Sequence, residues 1–280
     1  MIGHQKLSDK QMRWVMEQFN KAPEGKVRPL FICLFGSRLF GTHTDNSDYD
    51  VYAVHLEDSE KVLSSKPLLD TINVENKELN ISLQSYELNK AMRLAINNNP
   101  NLVDLFLATP LYEDETYEPS NAYTRLLIRQ SISKEITKPF ISMVEYNLKK
   151  YVDDDVEHHR TVPKRYIAMI SSLLRCCSYV DGVLEVGEFQ QLCEKYLNTT
   201  EKKLVAEILR EKKEGRDTSE YNDLAVGLIK SFIDKINKVK VLSKLPDTTD
   251  NQDKASEIIL LTRLFQLKDS EKLKRLTKTN

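Results

Sequence analysis

Two aspartates, Asp48 and Asp50, stand two residues apart in the stretch from 34 to 54, LFGSRLFGTHTDNSDYDVYAV. On an extended chain alternate residues share a face, so the two carboxylates project side by side while Tyr49 and Val51 point the other way into packing. Adjacent carboxylates raise each other's proton affinity unless a cation lies between them. A hard divalent ion with oxygen ligands, Mg²⁺ or Mn²⁺, resolves that conflict and stays open to triphosphate oxygens. Asp48 and Asp50 are therefore expected to be metal ligands. Ser47-Asp48 alone would suit a turn entering a strand, but that leaves unexplained a second acid inside an apolar strand.

Upstream, Gly36 lets the backbone turn sharply and approach a ligand, and Ser37 adds a hydroxyl and, if a short helix starts there, backbone N–H groups aimed at an anion. Arg38 either adds charge to this cradle or points into solvent. Gly41 turns the chain back toward the aspartates. A phosphate turn thus precedes a metal clamp.

The elements that must hold these groups are legible in the periodicity. Ser8 and Gln11 form a capping box before a helix over 9–20, with Met12, Val15, Met16 and Phe19 on one side. The apolar run Leu30 to Phe35 reads as a strand covered on both faces, and Asp50 to His55 as its neighbour. Two further strands are expected at about 70–75 and 79–86, joined by a turn at Glu75-Asn76-Lys77-Glu78. A helix over 87–96 stops at Asn97-Asn98-Asn99, and Pro100 opens another that runs through Leu107. The acidic stretch Pro110 to Ser120 looks like a domain boundary. Beyond it helices are expected at about 121–132, 138–152, 162–180, 188–197, 200–213, 218–242 and 253–267, with Asp181-Gly182 ending one of them. The expected fold class is α+β: a small mixed-sheet domain over 1–115 and an α-helical domain over 116–280.

Composition bounds the alternatives. Residues 1–115 carry 12 Lys and Arg against 17 Asp and Glu, the remainder 29 against 25, so an acidic part precedes a mildly basic one that could face a polyanion. Four cysteines without C-x-x-C spacing lie in apolar segments and read as reduced core thiols. No apolar run reaches the roughly 20 residues that span a bilayer, which suggests a protein with no membrane partner in the cytoplasm. Neither a P-loop nor a dinucleotide fingerprint is present. His43 and His55 read as loop and strand-end side chains, the run Asp153–Asp155 with Glu157, His158 and His159 as a solvated acidic stretch rather than a metal site, and the basic tail Lys268 to Lys278 as a chain end. The tyrosines between 112 and 179 read mostly as core and boundary residues, with base stacking as the minor reading.

Gly36-Ser37 followed by Asp48-Tyr49-Asp50 resembles the signature of nucleotidyltransferases of the DNA polymerase β-like superfamily. GSRLFGTHTDNSDYDVYAV, followed by YELNKAMRLAINNNPNLVDLFLAT, is more similar to the predicted nucleotidyltransferases of bacteria and large phages. Those typically read GSRAYG, SDYD and a helix ending in G-N-P-N before an acidic, Leu-rich helix; Asn98-Asn99-Pro100-Asn101 and Asp104-Leu105 fill the last two places. The similarity covers roughly residues 30–110, more loosely the helical part.

The resemblance implies a polymerase β-like core and transfer of a nucleoside monophosphate from an NTP, such as ATP, to an RNA end, a protein or a small molecule, with pyrophosphate released. Asp48 and Asp50 would hold Mg²⁺ or Mn²⁺, and Gly36 and Ser37, with Arg38, would grip the phosphates. A phage-encoded protein would act in its host's cytoplasm. The superfamily supplies a third carboxylate from a later strand, yet Leu79 to Tyr86 contains none; Glu87 is the preferred candidate and Glu78 the other. Lys164 and Arg175 are the candidate phosphate contacts of the helical part. If no third acid meets the pair, the implied alternative is a catalytically weak or inactive nucleotide-binding module.

Overall fold

The structure, a computed structural model, describes residues 6–22, 27–62, 69–153, 163–216 and 219–269. Helix α1, Asp9–Asn20, starts with the expected capping box: Gln11 N–H donates to Ser8 Oγ at 3.3 Å and Ser8 N–H to Gln11 Oε1 at 3.0 Å. Its Val15 and Phe19 pack on one face of a mixed sheet, against Ile32, Leu34, Val51, Ala53 and Leu83. The strands are β1 Arg28–Leu34, β2 Tyr49–Leu56, β3 Thr71–Asn76, β4 Ile81–Glu87 and β5 Tyr112–Glu113, in the order β3-β4-β2-β1-β5. Only the β2–β4 pair is parallel.

Between these strands lie two single turns, α2 Gly36–Leu39 and α3 Ser59–Val62. The second sheet face, with Phe31, Cys33, Val54 and Leu56, is covered by α4 Leu88–Ile96 and α5 Pro100–Leu107. Strand β1 therefore buries both faces, and each fully buried Phe or Leu removes enough apolar area to favour folding by about 1.5–3 kcal/mol. The helical half follows as α6 Glu118–Ser131, α7 Thr137–Leu148, α8 Pro163–Val180, α9 Phe189–Tyr196, α10 Thr199–Lys213, α11 Asn222–Leu242 and α12 Gln252–Asp269. A π-turn, Lys149–Asp153, extends α7. Gly182, at φ +79°, ends α8 as expected. No helix among the described residues is long and apolar enough to cross a membrane.

The expected boundary at Pro110 to Ser120 is an ordered part of the fold. It contains β5, a 3₁₀ turn at Glu115–Tyr117 and the start of α6. Its acids, which by composition suggest a solvated linker, are engaged: Arg28 Nε meets Asp114 Oδ2 at 2.5 Å, and Arg125 Nη1 meets Glu113 Oε1 at 2.8 Å. One apolar cluster runs from Leu30 to Ala255 across this stretch.

Helix α12 returns to the N-terminal half and packs on α3, α4 and α6. Its Arg263 donates to Glu87 and, at 2.6 Å, to the carbonyl of Glu57. Both members of the Arg263–Glu87 pair are buried, so removing the cation strands a desolvated carboxylate. Arg263→Met is expected to lower the unfolding free energy by about 3–5 kcal/mol, read by urea denaturation; a loss below about 1 kcal/mol would show that the pair does not fasten α12.

Candidate active site

Strand β1 runs into Phe35, whose N–H donates to the Asp50 carbonyl at 2.7 Å and so joins the turn to β2. Gly36 then adopts φ +58°. A β-carbon at Gly36 would collide with Asp50 Oδ2 and lie 3.1 Å from its Cγ. Glycine is needed here twice, for the left-handed backbone and for the space that the Asp50 carboxylate occupies.

Asp50 is half-buried, and Ser82 on β4 donates from Oγ to its Oδ1 at 3.1 Å. Its carboxyl is pushed above the usual range by burial; the Ser82 hydrogen bond opposes this, Asp48 adds to it, and Lys164 and Arg38 oppose it. A carboxylate raised by desolvation and a neighbouring anion is poised to gain a cation. Asp48 is exposed, just before β2 begins. Both donors are oxygens, as a hard divalent ion requires. Among the described residues no group of three or more His, Cys, Asp or Glu side chains gathers as a metal site, so two protein carboxylates would leave the remaining positions to phosphate and water.

Ser37 is partly exposed, and its carbonyl accepts the Thr42 N–H at 2.9 Å. Arg38 turns toward the chain: Nε donates to the Asp48 carbonyl at 3.1 Å, another nitrogen donates to the Ser47 carbonyl, and the guanidinium lies 3.7 Å from the Tyr49 ring centroid. Its visible work is to fasten the excursion that delivers Asp48.

Glu87 is not brought to the aspartates. In the parallel β2–β4 register Asp50 pairs with Ser82 and His55 with Glu87. Five residues is an odd step, so Glu87 turns to the other face at about 16 Å along the strand. There it accepts the Asn89 N–H at 2.8 Å, capping α4, and is paired with Arg263. Glu78 lies exposed in the β3–β4 turn. Arg175 likewise misses the site: it is buried, ion-paired with Asp104, and its guanidinium lies 3.9 Å from the Phe40 ring centroid. His55 is buried between Ser85 Oγ at 2.7 Å and the Leu69 carbonyl at 2.9 Å, with its pKa lowered to about 4 by burial. The four cysteines are buried and free. The acidic run from Asp153 and the basic end beyond Lys268 have side chains outside the described residues.

Two further charged residues bear on the candidate site. Glu75, where the strand expected over 70–75 meets its turn, lies in β3 opposite Ser82, which is itself opposite Asp50. Registered partners share a face, so exposed Glu75 stands on the Asp50 side, two strands or about 10 Å away between Cα atoms. Lys212 of α10 donates from Nζ to the Thr42 carbonyl. Burial and the charge of Lys164 lower its pKa to about 8, and no carboxylate pairs with either lysine among the described residues. Lys212 and Lys164 also bear on neighbouring groups: Lys212 helps lower the His43 pKa, after burial and Arg38, and Lys164 acts on Asp50. The only sequence signal for Lys212 was its place in the last turn of a helix.

A glycine turn laid against an aspartate pair on a mixed sheet, with lysines facing it from a helical half, defines a nucleotidyltransferase-type protein. The chain belongs to the RlaP family, the RNA repair pathway DNA polymerase beta family, whose model matches residues 10–262. It is 26% identical over 191 residues to the uncharacterized protein YcgL of Bacillus subtilis (strain 168), covering 67% of this chain and 70% of that protein. A nucleotidyltransferase-like protein of Exiguobacterium sibiricum 255-15 aligns in structure at 13% identity and a TM-score of 0.33, over 81% of this chain and 74% of that one. That similarity is too slight to bear on the assignment.

Two outcomes follow from the Gly36–Asp50 contact. Gly36→Ala is expected to cost about 1–3 kcal/mol of stability through backbone strain and to displace the Asp50 carboxylate; urea denaturation measures the first. Asp50→Asn is expected to stabilise the ligand-free protein at neutral pH. A carboxyl whose folded pKa is raised favours the fold only while protonated, and that contribution is lost as pH rises. An unchanged or lower melting temperature for Asp50→Asn would contradict it.

Proposed function

We propose that this protein transfers a nucleoside monophosphate from an NTP to a hydroxyl acceptor and releases pyrophosphate. The observation that carries this is the seat of the Asp50 carboxylate against the Gly36 turn, beside Asp48, which puts cation ligands and a phosphate-approachable backbone in one place. The family description favours an RNA end as acceptor.

Asp48 and Asp50 would hold Mg²⁺ or Mn²⁺, which when bound neutralises triphosphate charge and lowers the proton affinity of the acceptor hydroxyl. Ser37 offers a hydroxyl to the phosphates. Lys164 and Lys212, without carboxylate partners among the described residues, offer positive charge to the triphosphate and then to the leaving pyrophosphate. The acceptor oxygen bonds to the α-phosphorus as the bond to the β-phosphate oxygen breaks, and the electron pair leaves with pyrophosphate. Glu75, on the same sheet face across Ser82 from Asp50, would accept the acceptor's proton. The second reading, a weakly active nucleotide-binding module, is favoured by Ser82, a non-acid at the β4 position beside Asp50.

With α-labelled NTP, divalent cation and an RNA acceptor, Asp48→Asn and Asp50→Asn are each expected to reduce label transfer at least about a hundredfold. Transfer unchanged in either variant would sink the mechanism. Glu75→Gln tests the proton acceptor: loss of transfer with NTP-dependent thermal stabilisation retained supports catalysis by Glu75, unchanged transfer removes it, and stabilisation of the wild type by NTP without any transfer favours the second reading.

Lys212 sets a pH dependence. Its folded pKa is lowered to about 8, so the free protein loses this charge above that pH, while phosphate binding favours the protonated amine. NTP affinity is expected to weaken by up to about tenfold per pH unit above 8, measured by calorimetry, and Lys212→Gln is expected to flatten that limb.

A further inference from the structure

Helices α7 and α8 enclose a groove of about 400 Å³, lined by Asn147, Tyr151, Lys164, Arg165 and small or apolar side chains, with no carboxylate among the described residues that line it. The π-turn after α7 shapes the surface beside the groove. Over Lys149–Asp153 the hydrogen bonds span five residues rather than four, and Tyr146 and Tyr151, five apart, both come beside one lysine. Lys150 Nζ lies 5.7 Å from the Tyr146 ring centroid and 5.1 Å from that of Tyr151. From α8, the Arg165 guanidinium lies 3.3 Å from the Tyr151 ring centroid. Tyr146 is 62% exposed, a large ring left open to solvent beside this basic wall. No carboxylate pairs with Lys150, Lys164 or Arg165 among the described residues.

Lys164, near the start of α8, is one of the basic residues that line it.

We infer that the α7–α8 groove and the surface beside it bind single-stranded RNA, with Tyr146 stacking on a base and Lys150, Lys164 and Arg165 contacting phosphates. That this RNA is the acceptor rests on the transfer proposed above; the binding does not. One exposed aromatic ring among cations that no carboxylate neutralises is what a flexible polyanion with stackable bases requires. A duplex keeps its bases stacked on one another and cannot offer a base to Tyr146. An acidic peptide would meet the charges but leave the ring unused.

The test is binding of a fluorescent ten-nucleotide RNA to the whole protein in EDTA without NTP, which reads the groove alone. Tyr146→Ala is expected to weaken binding about tenfold and Tyr146→Phe to leave it near wild type, since the ring face does the stacking. Lys150→Gln is expected to reduce the slope of log affinity against log salt by about 0.7, one phosphate contact on a single strand. Equal binding of duplex RNA or of a polyglutamate peptide, or equal affinity of Tyr146→Ala and wild type, would overturn the inference. Thermal stabilisation by NTP with Mn²⁺ reads the aspartate site separately. Stabilisation without RNA binding removes the groove and leaves the transfer proposal; RNA binding without stabilisation or label transfer does the reverse.

Discussion

The contact on which the site depends is the seating of the Asp50 carboxylate over a residue with no side chain. Asp50 is drawn partly out of water on an internal strand, held by Ser82, and pressed against the Gly36 turn. Desolvation makes that carboxylate costly to ionise in the free protein. Such a cost is tolerated where a ligand later relieves it, a common bargain between stability and activity at functional sites.

Everything around that contact restrains the excursion between β1 and β2. Arg38 ties its end to the turn from within. From the helical half, Phe189 N–H donates to the Phe40 carbonyl at 3.0 Å and Lys212 to that of Thr42. Beneath Phe40 lies Arg175, paired with Asp104, which also accepts a hydrogen bond from the Tyr179 hydroxyl. The helical half is thus a wall of the site as well as a cover for the sheet. At the far end Arg263 and Glu87 fasten α12, so the two ends of β4 serve different ends: Ser82 holds the Asp50 carboxylate and Glu87 anchors a helix.

Most of the elements were legible from local pattern. Helix α1 and α5 begin and end where the capping box and Pro100 place them, because those signals are hydrogen bonds and dihedral preferences within a few residues. The local structure of 110–120 was not legible, because a short edge strand and an ion-paired acid look like a linker until their partners Phe31 and Arg28 are known.

By itself the sequence determined that Asp48 and Asp50 stand in alternate positions beside a glycine turn, since spacing along the chain and the dihedral freedom of glycine are local properties. The tertiary structure decided which other charges join them. Strand register set Glu75 on the Asp50 face and turned Glu87 away, and helix packing buried Arg175 while bringing Lys212 to Thr42. Those outcomes depend on pairings between residues distant in the chain, where one residue of register or one turn of a helix reverses the face that a side chain presents.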